Sequence, residues 1–173
     1  MRESSPTLVT GGAGYIGSHT VRALRSAQRK VVVLDSLEYG RSDAVIGAEL
    51  VVGDIADNTL VTELCRVHDV DQVVHFAAYK SVGESMEDPA RYWRNNVSGT
   101  IELLDACVAA GVRRVVFSSS CSVYGTPEVV PVTEAAVVAP ESVYAESKAT
   151  IERILRWYDT THGLESVSLR YFN

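Results

Sequence analysis

The most constraining feature of the chain is a glycine-rich segment, residues 10–18, which joins the apolar run 7–9 to a stretch with helical periodicity. Its glycines are Gly11, Gly12, Gly14 and Gly17. Glycine allows a tight turn from strand to helix, lets the backbone approach a ligand closely and lets the helix pack on the sheet. The start of a helix also offers free N–H groups and a partial positive charge to an anion. The segment therefore predicts a phosphate-binding turn.

A second apolar run ends in an acidic residue at the distance expected of a dinucleotide-binding unit. Residues 31–34 are all Val or Leu and are followed by Asp35, about 20 residues beyond the glycines. A carboxylate at the end of this strand accepts hydrogen bonds from both ribose hydroxyls and repels a 2′-phosphate. The pattern predicts NAD rather than NADP. The competing interpretation, a glycine turn with an incidental aspartate, is disfavoured because strand, turn, helix and Asp35 are all in register.

Apolar segments alternate with helical patterns along the rest of the chain. Short runs rich in Val, Leu and Phe predict strands at residues 31–35, 49–54, 72–77, 114–119 and 166–172. Their nearly continuous hydrophobicity is typical of strands covered on both faces. Strands that alternate with helices through right-handed crossovers form a doubly wound parallel sheet. The sequence thus predicts an α/β fold of the Rossmann type, with ligands beyond the carboxyl ends of the strands.

Apolar residues at helical spacing predict which helix faces contact the sheet. The three predicted stripes are Ile16, Thr20, Ala23, Leu24 and Ala27; Val97, Ile101, Leu104 and Val108; and Ile151, Ile154, Leu155 and Tyr158. Residues 126–140, with three prolines, form the one long irregular connection. Loops of this length usually serve a site rather than the core.

Length, charge and cysteine usage exclude several classes of function. A chain of 173 residues with 46% hydrophobic content fits a single domain, residues 1–173. Its net charge of −6, with no basic cluster, argues against nucleic acid or an anionic membrane as partner. The three cysteines, Cys65, Cys107 and Cys121, form no C-x-x-C pair, which favours a reducing cytoplasm. No histidine has metal-ligand spacing, so we expect no metal site.

A tyrosine and a lysine are spaced for acid–base chemistry. Tyr144 and Lys148 lie four residues apart at the start of the third helix and share one face. A nearby ammonium and the positive nicotinamide of NAD would lower the pKa of Tyr144 from about 10 and make its phenolate available as a base. Ser120 follows the strand 114–119 at the same edge, where its hydroxyl would bind a substrate hydroxyl. Without the dinucleotide fingerprint, an exposed helix pair and a serine-rich turn would explain the same residues.

Two further strand ends offer groups to the cofactor. Asp54 would receive the adenine amino group while Ile55 covers the adenine face. The small residues after Phe76 would let the backbone lie against the cofactor, although close packing without a ligand explains them too.

The sequence resembles the UDP-glucose 4-epimerase family of the extended short-chain dehydrogenase/reductase superfamily. The resemblance covers the whole chain in order and rests on TGGAGYIGSHT, Asp35, Gly53-Asp54-Ile55, HFAAYKSVGES, Asn95-Asn96-Val97, SSSCSVYG, the Tyr144 and Lys148 pair, and LRYFN. It corresponds to roughly the N-terminal half of the family's usual sequence. We therefore expect an NAD-binding domain whose C-terminal substrate domain is absent from these residues.

The resemblance implies a role for each matching residue. The cofactor set is Gly11, Gly14, Tyr15, Ile16, Gly17, Asp35, Ser36, Leu37, Glu38, Tyr39, Gly40, Asp54, Ile55, Phe76, Ala77, Ala78, Tyr79, Lys80, Asn95, Ser120, Tyr144, Lys148 and Phe172. The substrate set is Lys80, Ser120, Tyr144 and Asn173. The catalytic set is Tyr144 as base, Lys148, which binds the nicotinamide ribose and tunes the base, and Ser120.

The implied activity is NAD-dependent interconversion of UDP-glucose and UDP-galactose, with a UDP-sugar as partner. Two alternatives remain open: a nucleotide-sugar dehydratase or reductase of the same superfamily, and a non-catalytic NAD-binding module. Dehydration is disfavoured because Cys121 and Ser122 stand where dehydratases tend to carry an Asp-Glu pair. The resemblance also implies a homodimer that pairs helices 91–110 and 144–158, with Leu103, Ala106 and Ala110 off the sheet-facing stripe and buried between subunits.

Overall fold

A computed structural model describes residues 6–172, and within them six strands form one parallel sheet. The strands are β1 (Thr7–Thr10), β2 (Val31–Asp35), β3 (Glu49–Val52), β4 (Gln72–His75), β5 (Arg114–Ser120) and β6 (Glu165–Tyr171). Their spatial order is β3-β2-β1-β4-β5-β6, and every neighbouring pair runs parallel. The direction of winding changes between β1 and β4, which is where such sheets hold their ligands. The α/β fold with a doubly wound parallel sheet is confirmed.

The helices cover the two faces of the sheet unequally. They are α1 (Tyr15–Ser26), α2 (Asn58–Val67), α3 (Val82–Glu87), α4 (Pro89–Tyr92), α5 (Gly99–Ala110) and α6 (Val143–His162), with a π-helical segment, Trp93–Ser98, between α4 and α5. Helices α2, α5 and α6 share one large core with the sheet, whereas α1 covers a smaller cluster on the other face. No helix within residues 6–172 is long and apolar enough to cross a membrane.

The two edge strands differ from the prediction. Strands β3 and β6 were expected to be covered on both faces, but β3 is exposed or half-buried along its length and β6 alternates between exposed and half-buried residues. On the α1 face no described element covers β6, so Leu169 is 41% exposed. Strand β3 also ends at Val52 rather than at residue 54, because the chain turns away after it.

One predicted helix stripe was assigned to the wrong face. In α1 the buried residues are Gly17, Ser18 and Val21, while Ile16 and Ala23 are exposed. The hydrophobic pattern misleads here because small residues, not large ones, form the contact with the turn. The stripe predicted for α6 is largely correct, since Ile151 and Leu155 are fully buried in the core.

Helix α5 corrects the predicted interface between two copies of the chain. Leu103 and Ala106 were expected to lie off the core face, yet both are completely buried within one chain. The helix is wedged between α2 and α6 and therefore buries more than one stripe. Leu103 and Ala106 are unavailable to a second subunit.

The predicted irregular connection is present between Tyr124 and helix α6. Residues 126–140 contain neither helix nor strand. The ends of the connection are joined, because Glu141 accepts hydrogen bonds from the main chain and the hydroxyl of Thr126 at 3.2 and 2.9 Å. The loop is therefore closed upon itself at the carboxyl edge of the sheet.

Candidate cofactor and active site

The glycine turn is folded tightly against the end of β4. Gly11 has a left-handed backbone with φ 70°, and a Cβ atom added there would lie 2.6 Å from the amide nitrogen of Ala77. A Cβ atom at Gly17 would lie 2.8 Å from the Cα atom of Gly12, so α1 reaches the turn only with glycine at this place. Helix α1 begins at Tyr15, and its first N–H groups have no partner inside the helix. The turn thus forms a main-chain cradle for a diphosphate.

Asp35 ties the glycine turn to the loop that follows β2. The side chain is 8% exposed. Its two oxygens accept hydrogen bonds from the amides of Ala13 and Leu37, each at 2.9 Å. A Cβ atom at Gly40 would lie 2.7 Å from the carboxylate, so this loop closes over it only through glycine. Each carboxylate oxygen has a further lone pair, and both can accept a ribose hydroxyl.

The two residues predicted to contact adenine, Asp54 and Ile55, differ in their exposure. Asp54 is exposed and accepts a hydrogen bond from the amide of Ala56 at 2.9 Å. Ile55 instead is buried in the main core and packs against Gly99 of α5, where an added Cβ atom would lie 3.3 Å from its side chain. The expectation that the Ile55 side chain covers the adenine face is therefore wrong. Only its main chain is placed to contact a ligand.

The segment after β4 carries the predicted residues Phe76, Ala77, Ala78, Tyr79 and Lys80. Phe76 packs against the core cluster under α1, whereas the Lys80 side chain is exposed. Asn96 fixes the segment: its side chain accepts a hydrogen bond from the Tyr79 amide at 2.8 Å and donates one to the Tyr79 carbonyl at 3.0 Å. Asn95, the predicted cofactor contact, donates to the Asn96 side chain at 2.8 Å. Sequence reasoning missed Asn96, whose only signal is two asparagines within a helical run.

Lys148 is buried at the carboxyl end of β5. It is 3% exposed, and its ammonium donates a hydrogen bond to the Ser118 carbonyl at 2.9 Å. The Nζ atom lies 4.8 Å from the centre of the Phe117 ring and 5.8 Å from the centre of the Tyr144 ring. Burial lowers the pKa of Lys148 to about 7. The lysine therefore changes charge near neutral pH beside the predicted base.

Tyr144 and Ser120 meet as predicted, but the pKa of the tyrosine differs from the prediction. Burial raises the pKa of Tyr144 above its ordinary value, although a hydrogen bond with Ser120 acts in the opposite direction. Ser120 also accepts hydrogen bonds from the amide and the hydroxyl of Ser122, at 3.2 and 2.9 Å. The net shift is therefore upward and not the lowering that the sequence predicted, because burial removes the phenolate from water. A lower pKa requires further positive charge at the site.

The profile of the NAD dependent epimerase/dehydratase family matches residues 7–173. The chain belongs to this family. It is 46% identical over 166 residues to the UDP-glucose 4-epimerase of Lacticaseibacillus casei, covering 95% of this chain and 50% of that protein. It is 48% identical over 171 residues to that of Azospirillum brasilense, covering 98% and 49%.

A solved structure is equally similar. The structure of UDP-glucose 4-epimerase from Brucella ovis in complex with NAD superposes with a TM-score of 0.96 at 44% identity, covering 98% of this chain and 52% of that one. The chain thus spans about half the length of the curated relatives it matches.

A buried ionic network lies behind the candidate active site of this epimerase/dehydratase family member. Glu152, 6% exposed, lies two helical turns beyond Tyr144 and accepts hydrogen bonds from Ser119 at 2.6 Å and from Arg170 at 2.9 and 2.5 Å. Burial alone would raise the pKa of Glu152, but the bonds from Arg170 and Ser119 outweigh it and hold the pKa below its usual value. Arg170 also donates to the hydroxyl of Tyr124 at 2.6 Å. The network joins β5, β6 and α6 to the turn that follows Ser119.

Phe172 follows the same strand as Arg170 and reaches this edge of the sheet. Its ring is 64% exposed and its centre lies 6.1 Å from that of Tyr124. Within the described residues the Phe172 ring is thus accessible to a nicotinamide, as the predicted position requires. Asn173, expected to reach the substrate, lies outside the described residues.

Two residues outside the predicted site hold helix α6 and the central strands. Ser85, fully buried, accepts a hydrogen bond from the Tyr144 amide at 3.1 Å and so fixes the start of α6. His75 hydrogen-bonds Thr10 at 2.7 Å and Thr100 at 3.0 Å. Burial first and the charge of Lys148 second lower the pKa of His75 to about 3. The imidazole is therefore neutral near pH 7, in a scaffold role.

Proposed function

We propose that this chain binds NAD and carries the reacting groups of a 4-epimerase that interconverts UDP-glucose and UDP-galactose. The observation that carries the proposal is the meeting of Tyr144, Ser120 and Lys148 at the sheet edge that also holds the glycine turn. A dinucleotide laid along this edge from the Asp35 carboxylate would end at the tyrosine. The similarity to UDP-glucose 4-epimerases over nearly the whole chain supports the same proposal.

The residues present fit the cofactor. A Cβ atom at Gly11 or Gly17 would meet the main chain of Ala77 or of Gly12, so glycine at both places keeps the turn and the start of α1 tightly packed. This tight turn presents the first N–H groups of α1 to a diphosphate. Asp35 would hold the adenosine ribose, the segment 76–80 with Asn95 the middle of the molecule, and Lys148 the nicotinamide ribose. When bound, NAD supplies reversible hydride acceptance at C4 of the sugar.

Tyr144 is the base in this proposal. Its phenolate takes the proton from the 4-hydroxyl of the sugar and returns it after the 4-keto sugar has turned its other face to the site. Ser120 donates a hydrogen bond to the same sugar oxygen and keeps it within reach of Tyr144. Burial raises the pKa of Tyr144, and the Ser120 hydrogen bond opposes that rise. A protonated Lys148 and a bound nicotinamide would lower the pKa further.

The remaining expectations belong to the same proposal. We infer a role in galactose metabolism, a cytoplasmic location and a homodimer. Because Leu103 and Ala106 are buried within one chain, the dimer would instead cover exposed aromatic residues of the same helical region, Trp93 and Trp157, the latter 67% exposed. Sedimentation at tens of micromolar, a range suited to weak association, tests the dimer, and a Trp157→Glu variant should shift it toward monomer.

A coupled assay tests the activity. The full-length protein containing this chain is incubated with UDP-galactose, and UDP-glucose dehydrogenase reports the UDP-glucose formed. Conversion of UDP-galactose to UDP-glucose without net consumption of NAD in that conversion supports the epimerase. Loss of water from the sugar instead identifies a dehydratase, and tight NAD binding without turnover of either kind identifies a binding module.

A further inference from the structure

Two loops flank the glycine turn at the carboxyl edge of the sheet. Strand β1 pairs with β2 on one side and with β4 on the other. The loops 36–41 and 76–81, which follow those two strands, therefore stand on either side of the turn. Strands two places apart in a sheet are separated by about 9–10 Å. A side-chain contact between these loops must cross the carboxyl end of β1, over the phosphate cradle.

Such a contact exists and uses both oxygens of one carboxylate. The hydroxyl of Tyr79 donates to Glu38 Oε2 at 2.8 Å, and the guanidinium of Arg91 donates to Glu38 Oε1 at 2.7 Å. The guanidinium also lies over the Tyr79 ring, 4.2 Å from its centre. We call Glu38, Tyr79 and Arg91 the strap. It joins the two loops from one side of the cradle to the other.

The β4 side of the strap is held firmly. Arg91 also donates a hydrogen bond to Glu84, and the second oxygen of Glu84 accepts one from the hydroxyl of the fully buried Tyr92 at 2.8 Å. The main chain of Tyr79 is fixed at its amide and its carbonyl by the buried Asn96. These bonds do not involve the β2 loop, so this side keeps its position when the strap opens.

The β2 side of the strap is held at Leu37 and Arg41, whose amides donate to Asp35 and to the Ala13 carbonyl at 2.9 and 3.0 Å, but only weakly at Glu38 between them. Glu38 is half-exposed, and its amide makes only a long contact of 3.4 Å with the Ser36 hydroxyl. The preceding residue, Leu37, has a left-handed backbone with φ 60°, which non-glycine residues adopt at a cost. Tyr39 adds one contact across the gap, a hydrogen bond of 3.2 Å from Arg91 to its hydroxyl. Opening therefore requires movement of a short loop and loss of these cross-cradle bonds.

We propose that the strap is a gate for the cofactor, with Arg91 as its central residue. It rests on the proposed function, since it presumes a dinucleotide along this edge. A dinucleotide that extends from Asp35 toward Tyr144 passes beneath the strap, so entry and release both require the strap to open. Retention serves an epimerase because release of the reduced cofactor in mid-cycle would strand the oxidised sugar. The strap consists of a part-exposed ion pair and a cation–π contact, so salt weakens it.

The test measures rates of cofactor exchange rather than activity. NADH fluorescence gives the association rate, and displacement of NADH by excess NAD gives the dissociation rate, in the full-length protein. The first variant is Arg91→Gln, which removes the cation and its ion pairs with Glu38 and Glu84. The second is Tyr79→Phe, which removes one hydrogen bond and leaves the main chain held by Asn96. The matched control is Arg113→Gln, which breaks an exposed pair with Asp71, 2.7 Å long, at the opposite edge of the sheet.

A gate makes a distinct kinetic prediction. In Arg91→Gln both rates should rise by about 3- to 30-fold, as the loss of the part-exposed Glu38 pair across the cradle and of one cation–π contact allows, while the dissociation constant changes little. Tyr79→Phe should show the same pattern more weakly, and Arg113→Gln no change. Faster dissociation with unchanged association would mean that these residues only contact the cofactor, and would overturn the gate, as would unchanged rates in both variants. Failure of the unaltered protein to bind NADH would overturn the proposed function itself.

Discussion

The two ends of the candidate site are built by different means. Around the glycine turn, the ligand-binding groups are main-chain amides, and the one acidic side chain, Asp35, is itself held by the amides of Ala13 and Leu37. Around Tyr144, buried side chains are held by contacts between separate elements, with Lys148 on a carbonyl of β5 and Glu152 on Arg170 of β6. The first end depends on backbone shape, and the second on long-range side-chain contacts.

This difference decides what a substitution does at each end. A change of backbone freedom should damage the cofactor end, whereas removal of a single polar atom there should matter less. At the catalytic end, a single atom either performs the chemistry or completes a buried network. Variants that remove one polar atom or add one Cβ atom therefore test this difference between the two ends.

The largest effect is expected from Tyr144→Phe in the full-length protein. The ring remains and only the proton acceptor is lost, so kcat should fall by about 10²- to 10⁴-fold while cofactor affinity changes little. Steady-state kinetics and a binding titration on one preparation measure both quantities. Tyr158→Phe on the same helix, where the hydroxyl bonds Asp105 at 2.5 Å, is the control and should keep its kcat. A Tyr144→Phe enzyme with normal kcat would remove the tyrosine from the mechanism.

The second effect concerns the buried network. Glu152→Gln leaves Arg170 without its buried counter-charge, and breaking such a pair should cost about 2–4 kcal/mol of unfolding free energy, less than a fully buried pair because Arg170 is partly exposed. Urea unfolding measures it. Glu146→Gln on the same helix breaks an exposed pair with Arg153 and should cost about 0–1 kcal/mol. Equal costs for the two variants would mean that burial of the network contributes nothing.

The third effect tests the backbone end. Gly11→Ala places a Cβ atom against the main chain of Ala77 in a left-handed conformation, which should cost about 1–3 kcal/mol of stability and weaken cofactor binding. Gly83→Ala is the control: nothing lies within 4 Å of an added Cβ atom at this helical position, so stability should be unchanged or slightly higher. Thermal unfolding with and without NAD measures both. A Gly11→Ala protein that binds NAD normally would contradict the cradle.

The same difference explains which features the sequence could predict. The glycine turn, Asp35 and the Tyr144 and Lys148 pair follow from local spacing, and the structure brings them to one edge as expected. Glu152 and Arg170 are 18 residues apart and carry no local signal, because their pairing depends on how α6 packs on β6. The stripe predicted for α5 does face the core, but Leu103 and Ala106 are buried as well, for a related reason. Periodicity gives one face of a helix, but a helix between two others buries more than one.

The smallest effect sharpens the assignment of Asp35. Its carboxylate should repel a 2′-phosphate, so the unaltered protein should prefer NAD. In Asp35→Asn the ratio of NAD affinity to NADP affinity should fall by about tenfold, which corresponds to roughly 1.4 kcal/mol of binding free energy. The first cation after Asp35 is Arg41, which pairs with Asp43 at 2.8 Å. It is the residue that could offset the repulsion if that pair opened. Calorimetric titration of both cofactors measures the ratio. The control is Asp159→Asn, which removes the same charge at an exposed position of α6. Equal affinities of the unaltered protein for NAD and NADP would show that Asp35 serves only to bind the two amides, and that the cofactor end selects its ligand by backbone shape alone.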